Sequence, residues 1–201
     1  MTSSTTLARA GKAKRPSPWR LFLQGFFKHP VMVGSVIPSS KRTIERMLKR
    51  VDWANTRMFV EYGPGVGTFC RTVLDRLPAD ARYVAIDTNP DFVAYLKDTI
   101  RDSRFSAVNA SAADVEEIVK AHGADKADYV LSGLPFSTLP PGVADEIASA
   151  TKRALKPGGT FMVYLYNPRV RDILARHFER IDHEIEWWNA PPTQMWWAYK
   201  D

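Results

Sequence analysis

The chain has one cysteine, four histidines and no long apolar run, and its first 44 residues contain no acid. A single cysteine, Cys70, permits no internal disulfide and points to a reducing compartment. It falls at the start of an expected helix, where a packed, inert thiol is anticipated. His29, His122, His177 and His183 are not spaced as metal ligands, so no metal site is indicated. No apolar stretch approaches the ~20 residues of a membrane span. The basic N-terminus has no continuous apolar segment before Pro16 and Pro18 and does not read as a signal peptide. A chain of 201 residues, 45% apolar and 25% charged, suffices for one globular domain with a sizeable core. Met1 to Ile44 carry eight Lys or Arg; the net charge of +6 less those eight leaves −2 for residues 45–201. The basicity sits in an N-terminal arm on a slightly acidic body, which favours an anionic partner touched by the arm over a polyanion lying across the whole surface.

The most informative segment that is present is Phe59-Val60-Glu61-Tyr62-Gly63-Pro64-Gly65-Val66-Gly67. A short apolar run ends in an acid, glycines follow at alternate positions, and a helix is expected from Gly67 to Leu77. A strand, a glycine turn and a helix start let backbone approach a nucleotide-like ligand closely. The next strand, Tyr83-Val84-Ala85-Ile86-Asp87, ends in an acid 20 residues after Gly67, where a carboxylate suits the hydroxyls of a ribose. The spacing G-x-G-x-G is not the dinucleotide fingerprint G-x-G-x-x-G, and Glu61 would repel a pyrophosphate. It can instead hold the ammonium of an amino acid. A ligand with a ribose at one end and an amino acid at the other is S-adenosylmethionine, whose demethylated product is S-adenosylhomocysteine. The segment resembles motif I of class I methyltransferases, with Asp87 at the acidic end of their second strand. On this reading Glu61 binds the amino end, Gly63, Gly65 and Gly67 give close approach, Asp87 and Thr88 border the ribose, and Ala110 and Ser111 border adenine.

Residues 1–17 are rich in Ser, Thr, Ala, Lys and Pro, a composition that predicts a disordered basic arm. Residues 18–50 predict amphipathic helices. Trp19, Phe22, Leu23, Phe26 and Phe27 recur on one helical face, with Arg20, Gln24 and Lys28 on the other. His29-Pro30 stops the first helix, and Ser39 or Ser40 caps a second near 41–50. Residues 51–201 then alternate. Strands are expected near 58–62, 83–87, 104–108, 127–132 and 160–166, and helices near 67–77, 90–101, 112–121, 141–155 and 169–177. Two closing strands are expected near 181–188 and 194–199. The pattern implies an α/β, Rossmann-like class I methyltransferase fold: a seven-stranded, mostly parallel sheet with an antiparallel C-terminal edge, plus the N-terminal helices.

The loop after the fourth strand, Ser132-Gly133-Leu134-Pro135-Phe136, is expected to face the methyl acceptor. Ribosomal RNA adenine dimethylases carry Asn-Leu-Pro-Tyr here; this chain has Gly133 in place of the amide that polarises a base amine. The chain as a whole is similar to the bacterial phospholipid N-methyltransferases. The likeness runs from about residue 18 to the C-terminus, on the first helix, Val33-Gly34-Ser35-Val36-Ile37-Pro38-Ser39-Ser40, motif I, Ser132-Gly133-Leu134-Pro135 and Pro191-Pro192-Thr193-Gln194-Met195-Trp196. Asn109-Ala110-Ser111 departs from the acid many relatives have after the third strand. The resemblance implies methylation of phosphatidylethanolamine and its methylated forms towards phosphatidylcholine. It further implies an enzyme peripheral to the inner face of the cytoplasmic membrane, Ser39 and Ser40 closing over the cofactor, and acceptor contacts from Gly133, Leu134, Pro135 and Phe136. The first helix fits an anionic membrane surface through Trp19, Arg20, Phe22, Leu23, Phe26, Phe27 and Lys28; packing of its apolar stripe on the domain is the plainer alternative. Tyr166 and acceptors around Ser132 are the candidate proton acceptors, with water as the alternative. Phe136, Tyr166, Trp187, Trp188, Trp196 and Trp197 are candidate aromatic faces for a methylated ammonium. An RNA-directed N-methyltransferase and a non-enzymatic cofactor-binding module are the competing classes; nucleic acid is not the expected partner.

Overall fold

The computed structural model describes residues 40–189 and 192–201, with the side chain of residue 137 excepted. The expectations for residues 1–39, including Ser39 and the face from Trp19 to Lys28, lie outside the described residues.

Seven strands form one sheet: β1 (Met58–Tyr62), β2 (Arg82–Asp87), β3 (Phe105–Asn109), β4 (Ala127–Ser132), β5 (Leu155–Leu165), β6 (Arg180–Glu186) and β7 (Thr193–Tyr199). Their order is β3-β2-β1-β4-β5-β7-β6. The first five run parallel, and β7 is antiparallel to both β5 and β6. This is the Rossmann-like class I methyltransferase architecture expected from the alternation of elements. Helices α1 (Lys41–Leu48), α2 (Cys70–Leu74), α3 (Pro90–Thr99), α4 (Val115–Ala121), α5 (Val143–Ala154) and α6 (Val170–His177) accompany it.

Strand periodicity sorts the core into two layers. Met58, Val60 and Tyr62 of β1 face one layer with Val130, Ile147, Phe161 and Leu174. Phe59 faces the other, with Met47, Phe69, Tyr83, Leu131, Met162 and Trp197. The strands therefore read as continuous apolar runs, as sheets covered on both faces do. Local signals set the helix starts. Asn89 Oδ1 accepts the Asp91 N–H at 2.9 Å with Pro90 in the first turn, and Ser111 Oγ accepts the Ala113 N–H at 2.9 Å before α4. Several expectations shift. The helix after the glycine loop begins only at Cys70, because Gly63, Gly65 and Gly67 all have positive φ and keep the chain in turns. Strand β5 begins at Leu155 rather than 160, since Leu155 pairs with Ala127 across a register irregularity.

Helix α1 lies antiparallel to β6 and is fastened to it by charge. Alternation puts Asp182, Glu184 and Glu186 on one face of the strand. Arg42 and Arg46 meet Glu186 at 3.2 and 2.9 Å, and Arg46, Lys49 and Arg50 meet Glu184 at 2.9, 2.6 and 3.0 Å. Arg50 also bonds Asp182. Thr43, Ile44, Met47 and Leu48 bury the opposite face, where the Met47 carbonyl accepts the Trp197 Nε1–H at 3.1 Å. Since Arg42 meets the last residue of β6 and Arg50 its early part, α1 starts at the carboxyl end of the parallel strands. The chain before Ser40 therefore joins the domain at that end.

Burial would raise the Glu184 carboxyl, but hydrogen bonds from Lys49, Arg46 and Arg50 outweigh it and hold the group down to about 2. A carboxyl that titrates lower when folded contributes in full above its free value of 4.5 and loses that contribution as pH falls towards 2. Glu184→Gln is expected to cost about 1–3 kcal/mol in urea unfolding at pH 7. The gap between variant and wild type should close at low pH.

Candidate functional site

In a parallel sheet of this topology ligands bind beyond the carboxyl ends of the strands. Glu61 stands at that end of β1 and is fully buried. Its Oε2 accepts the Tyr83 hydroxyl of β2 and lies 3.7 Å from the Cys70 Sγ. Its Oε1 has no hydrogen-bond partner among the described residues. Burial pushes the carboxyl up to about 7, against the bonds from Tyr83 and Cys70, and nearby Asp87 adds to the rise. A desolvated carboxylate with one unmet oxygen is costly unless a cation arrives. The Cys70 thiol is buried and, by desolvation and then by Glu61, held far above its usual range. It is inert at neutral pH, as anticipated.

The glycine loop leaves this point along the sheet edge. The Gly63 N–H bonds the Ile86 carbonyl at 2.9 Å, extending the β1–β2 ladder by one rung. Gly67 has φ +81°, and a Cβ there would lie 2.8 Å from Leu96 Cδ2, so only glycine fits. At Gly65 a Cβ would meet nothing within 4 Å: the loop is open on that side. Asp87, at the end of β2, is buried and accepts the Asn89 N–H at 2.8 Å and the Gly65 N–H at 3.4 Å. Burial raises it to about 6, opposed by backbone bonds from Asn89, Gly65 and Thr88. Ala110 follows β3, and its N–H reaches the Asp87 carbonyl at 3.2 Å. Ser111 is buried with its Oγ engaged as a helix cap. Glu61, Gly65, Asp87, Thr88 and Ala110 thus share one end of three adjacent strands.

Order β1-β4-β5 brings the acceptor loop alongside. The Gly133 N–H bonds the Tyr62 carbonyl at 3.2 Å, and Ser132 Oγ accepts the Leu134 N–H at 3.2 Å. Leu134 is buried against Gly63, and Phe136 is buried with its ring 6.1 Å from Phe161. These two side chains anchor the loop in the core cluster with Ile147 and Phe161. Ser132 is buried and committed to its turn, so it is not placed to take a proton. Tyr166 lies just beyond β5, its phenol raised by burial and partly restored by a bond with Asn189; a raised phenol is a poor base at neutral pH. The aromatic faces disperse as well. Trp196 and Trp197 are core residues, while Trp187 and Trp188 project into solvent from the β6–β7 turn. Ser40, exposed, caps α1 by accepting the Thr43 N–H at 3.2 Å.

Two residues at this end carried no legible sequence signal. Tyr83 hydrogen-bonds Glu61 from the neighbouring strand. Tyr164 of β5 lays its ring against Phe69, centroids 4.8 Å apart, and its phenol over Gly133. A Cβ on Gly133 would stand 2.5 Å from the Tyr164 hydroxyl oxygen. The glycine that replaces an amide is thus the space this phenol occupies. Burial, then Glu61, Cys70 and Tyr166, keeps Tyr164 protonated. Two surface cavities, about 340 Å³ beside Lys152, Arg171 and His177 and about 520 Å³ beside Leu77, Arg101 and Arg104, touch none of these residues. Among the described residues no cluster of His, Cys, Asp or Glu could hold a metal ion.

Residues 59–159 match the family model of a methyltransferase domain. The chain is also 31% identical over 175 residues to the ornithine lipid N-methyltransferase of Singulisphaera acidiphila, covering 86% of this chain and 91% of that protein. The chain belongs to the methyltransferase-domain family. Its cofactor is S-adenosylmethionine. Solved methyltransferases share the fold. The 1,6-didemethyltoxoflavin-N1-methyltransferase of Burkholderia thailandensis, with S-adenosylhomocysteine bound, has TM-score 0.66 at 14% identity over 96% of this chain and 93% of that one. The N-methyltransferase NodS of Bradyrhizobium japonicum has TM-score 0.63 at 12% identity over 83% and 99%.

The site of this methyltransferase fits that cofactor. The unmet Glu61 oxygen matches an ammonium, the open flank of Gly65 admits a ligand, and the Asp87 carboxylate suits a diol. Glu61→Gln is expected to weaken S-adenosylhomocysteine binding yet stabilise the ligand-free protein at pH 8. There the ionised carboxylate of a group raised from 4.5 to about 7 costs the fold about 3 kcal/mol. Asp87→Ala should cost about 1–3 kcal/mol of binding in calorimetry; unchanged affinity would remove it from the ribose site.

Proposed function

We propose that this methyltransferase methylates the amine of a membrane-lipid headgroup, phosphatidylethanolamine and its methylated forms or another amine lipid, at a bilayer surface. The observation that carries the reading is the 31% identity, over 91% of its length, to an enzyme named for methylating ornithine lipid. Both lipids offer a primary amine at the water boundary. Two features support it. The Tyr164 phenol over Gly133 takes the room a base-polarising amide would need, which speaks against RNA adenine. The strongly basic segment, residues 1–44 with its eight cations, enters the domain at the site end of the sheet. No helix among the described residues is long and apolar enough to cross a membrane, so the enzyme would meet its substrate from the surface.

Bound here, S-adenosylmethionine supplies an electrophilic methyl on a sulfonium. The protein's part is alignment and exclusion of water. Glu61 fixes the amino end of the cofactor, directly or through a water, and Asp87 the ribose. The β1 and β4 loops, joined through the Gly133 to Tyr62 bond, set the distance between donor and acceptor. The substrate ammonium must shed a proton before it has a lone pair. Tyr164, a neutral phenol, accepts a hydrogen bond from the amine and orients it, and the proton leaves to water.

Labelled S-adenosylmethionine incubated with total bacterial lipid, purified phosphatidylethanolamine, ornithine lipid and RNA is expected to label an amine lipid. Label in RNA alone, or in nothing, would overturn the proposal. Tyr164→Phe is expected to lower kcat about tenfold with cofactor affinity unchanged, the loss of one hydrogen bond. Gly133→Ala, which forces the phenol aside, should lower kcat at least as far.

A further inference from the structure

The turn joining β6 to β7 holds two adjacent tryptophans in water. Trp187 is 70% exposed and Trp188 82%, while Trp196 and Trp197 on the next strand are buried. Indoles are large and mostly apolar, so two side by side at a surface forgo substantial burial. The turn that presents them is well pinned. The Trp188 N–H donates to Glu186 Oε1 at 3.1 Å, and Asn189 Nδ2 donates to Thr193 Oγ1 at 2.7 Å. Glu186, which holds the Trp188 N–H, is itself gripped by Arg42 and Arg46 at the start of α1. The pair is therefore held outward at the carboxyl end of the sheet, beside the point where the basic segment joins the domain.

Position and chemistry together select the occupant. Indoles settle at the headgroup level of a bilayer, with the apolar body inward and the N–H at the water boundary. Cations beside them are drawn to an anionic leaflet. Here Arg42 stands 61% exposed at the start of α1, and the first 44 residues carry eight cations and no acid. The pair is a tip rather than a broad apolar patch, a shape that enters a deformable fluid layer more readily than it fills a rigid protein surface. We propose that Trp187 and Trp188 are an interfacial anchor that seats the ligand end of the sheet on an anionic bilayer, turning the ends of β1 and β4 towards the headgroups. This inference rests on the lipid reading above. Its consequence is that a headgroup amine reaches the site without its acyl chains leaving the membrane.

The test is co-sedimentation of the full chain, wild type and W187A/W188A, with vesicles of phosphatidylglycerol and phosphatidylethanolamine and with neutral phosphatidylcholine vesicles. The wild type is expected to bind the anionic vesicles, and brominated acyl chains should quench part of its tryptophan emission. The double variant should bind on the order of tenfold or more weakly and lose that share of quenching. It should keep its Tm, its S-adenosylhomocysteine affinity and its methylation of detergent-dispersed amine lipid. Undiminished binding by the variant overturns the anchor and leaves the lipid reading standing. A wild type that methylates amine lipid neither in vesicles nor in detergent overturns both. A change of oligomeric state on substitution in lipid-free buffer would assign the pair to a second copy of the chain and overturn the anchor.

Discussion

A carboxylate stripped of water at the end of the central strand governs the ligand end of this protein. Glu61 is buried near Tyr164 with one oxygen satisfied and one not. Such a group is costly alone, and a cation arriving at the unmet oxygen would offset that cost. The neighbouring features follow. Tyr83 is buried to supply the one bond. The glycine loop folds back beside it, open at Gly65 where a Cβ would meet nothing within 4 Å. Asp87, also pushed up by burial, ends the next strand two residues beyond the Ala85 that pairs with Glu61. The two carboxylates stand at neighbouring strand ends, as the two polar ends of one elongated ligand would require.

The second organising contact is the ion-pair seam between α1 and β6. Glu186 is buried within it, while its outer pairs are open to solvent, where each contributes only modestly. Its effect is directional. It fixes which end of the sheet the basic N-terminal segment approaches and ties that entry to Glu186, whose other oxygen holds the turn bearing Trp187 and Trp188. The edge of the sheet thus links the start of α1 to the turn that carries the two tryptophans.

Most of the architecture was legible in the sequence because it depends on local repetition. Apolar runs marked the strands, the alternation of elements placed the helices between them, and the glycines marked the turn. What escaped depends on partners distant in the chain. Leu134 and Phe136 follow Gly133 in a motif suggesting a substrate lining, yet both join the core cluster with Ile147 and Phe161. Tyr166 attracted attention as the last residue of its strand, but Tyr164, two residues earlier on the same face, lies opposite the vacancy that Gly133 leaves. The pairing of a missing side chain with a large one across two strands has no signature in either segment alone. Trp187 and Trp188 fall inside the strand expected near 181–188; β6 ends at Glu186, and both turn outward.

The most direct test of the account is the proton balance of cofactor binding. Titration of the wild type with S-adenosylhomocysteine at pH 7, in buffers of differing ionisation enthalpy, should show release of up to about half a proton as the ligand ammonium lowers Glu61 from about 7. Glu61→Gln should release correspondingly less. Binding with no proton release, or with the same release in both proteins, would contradict the claim that this buried carboxylate receives the cofactor.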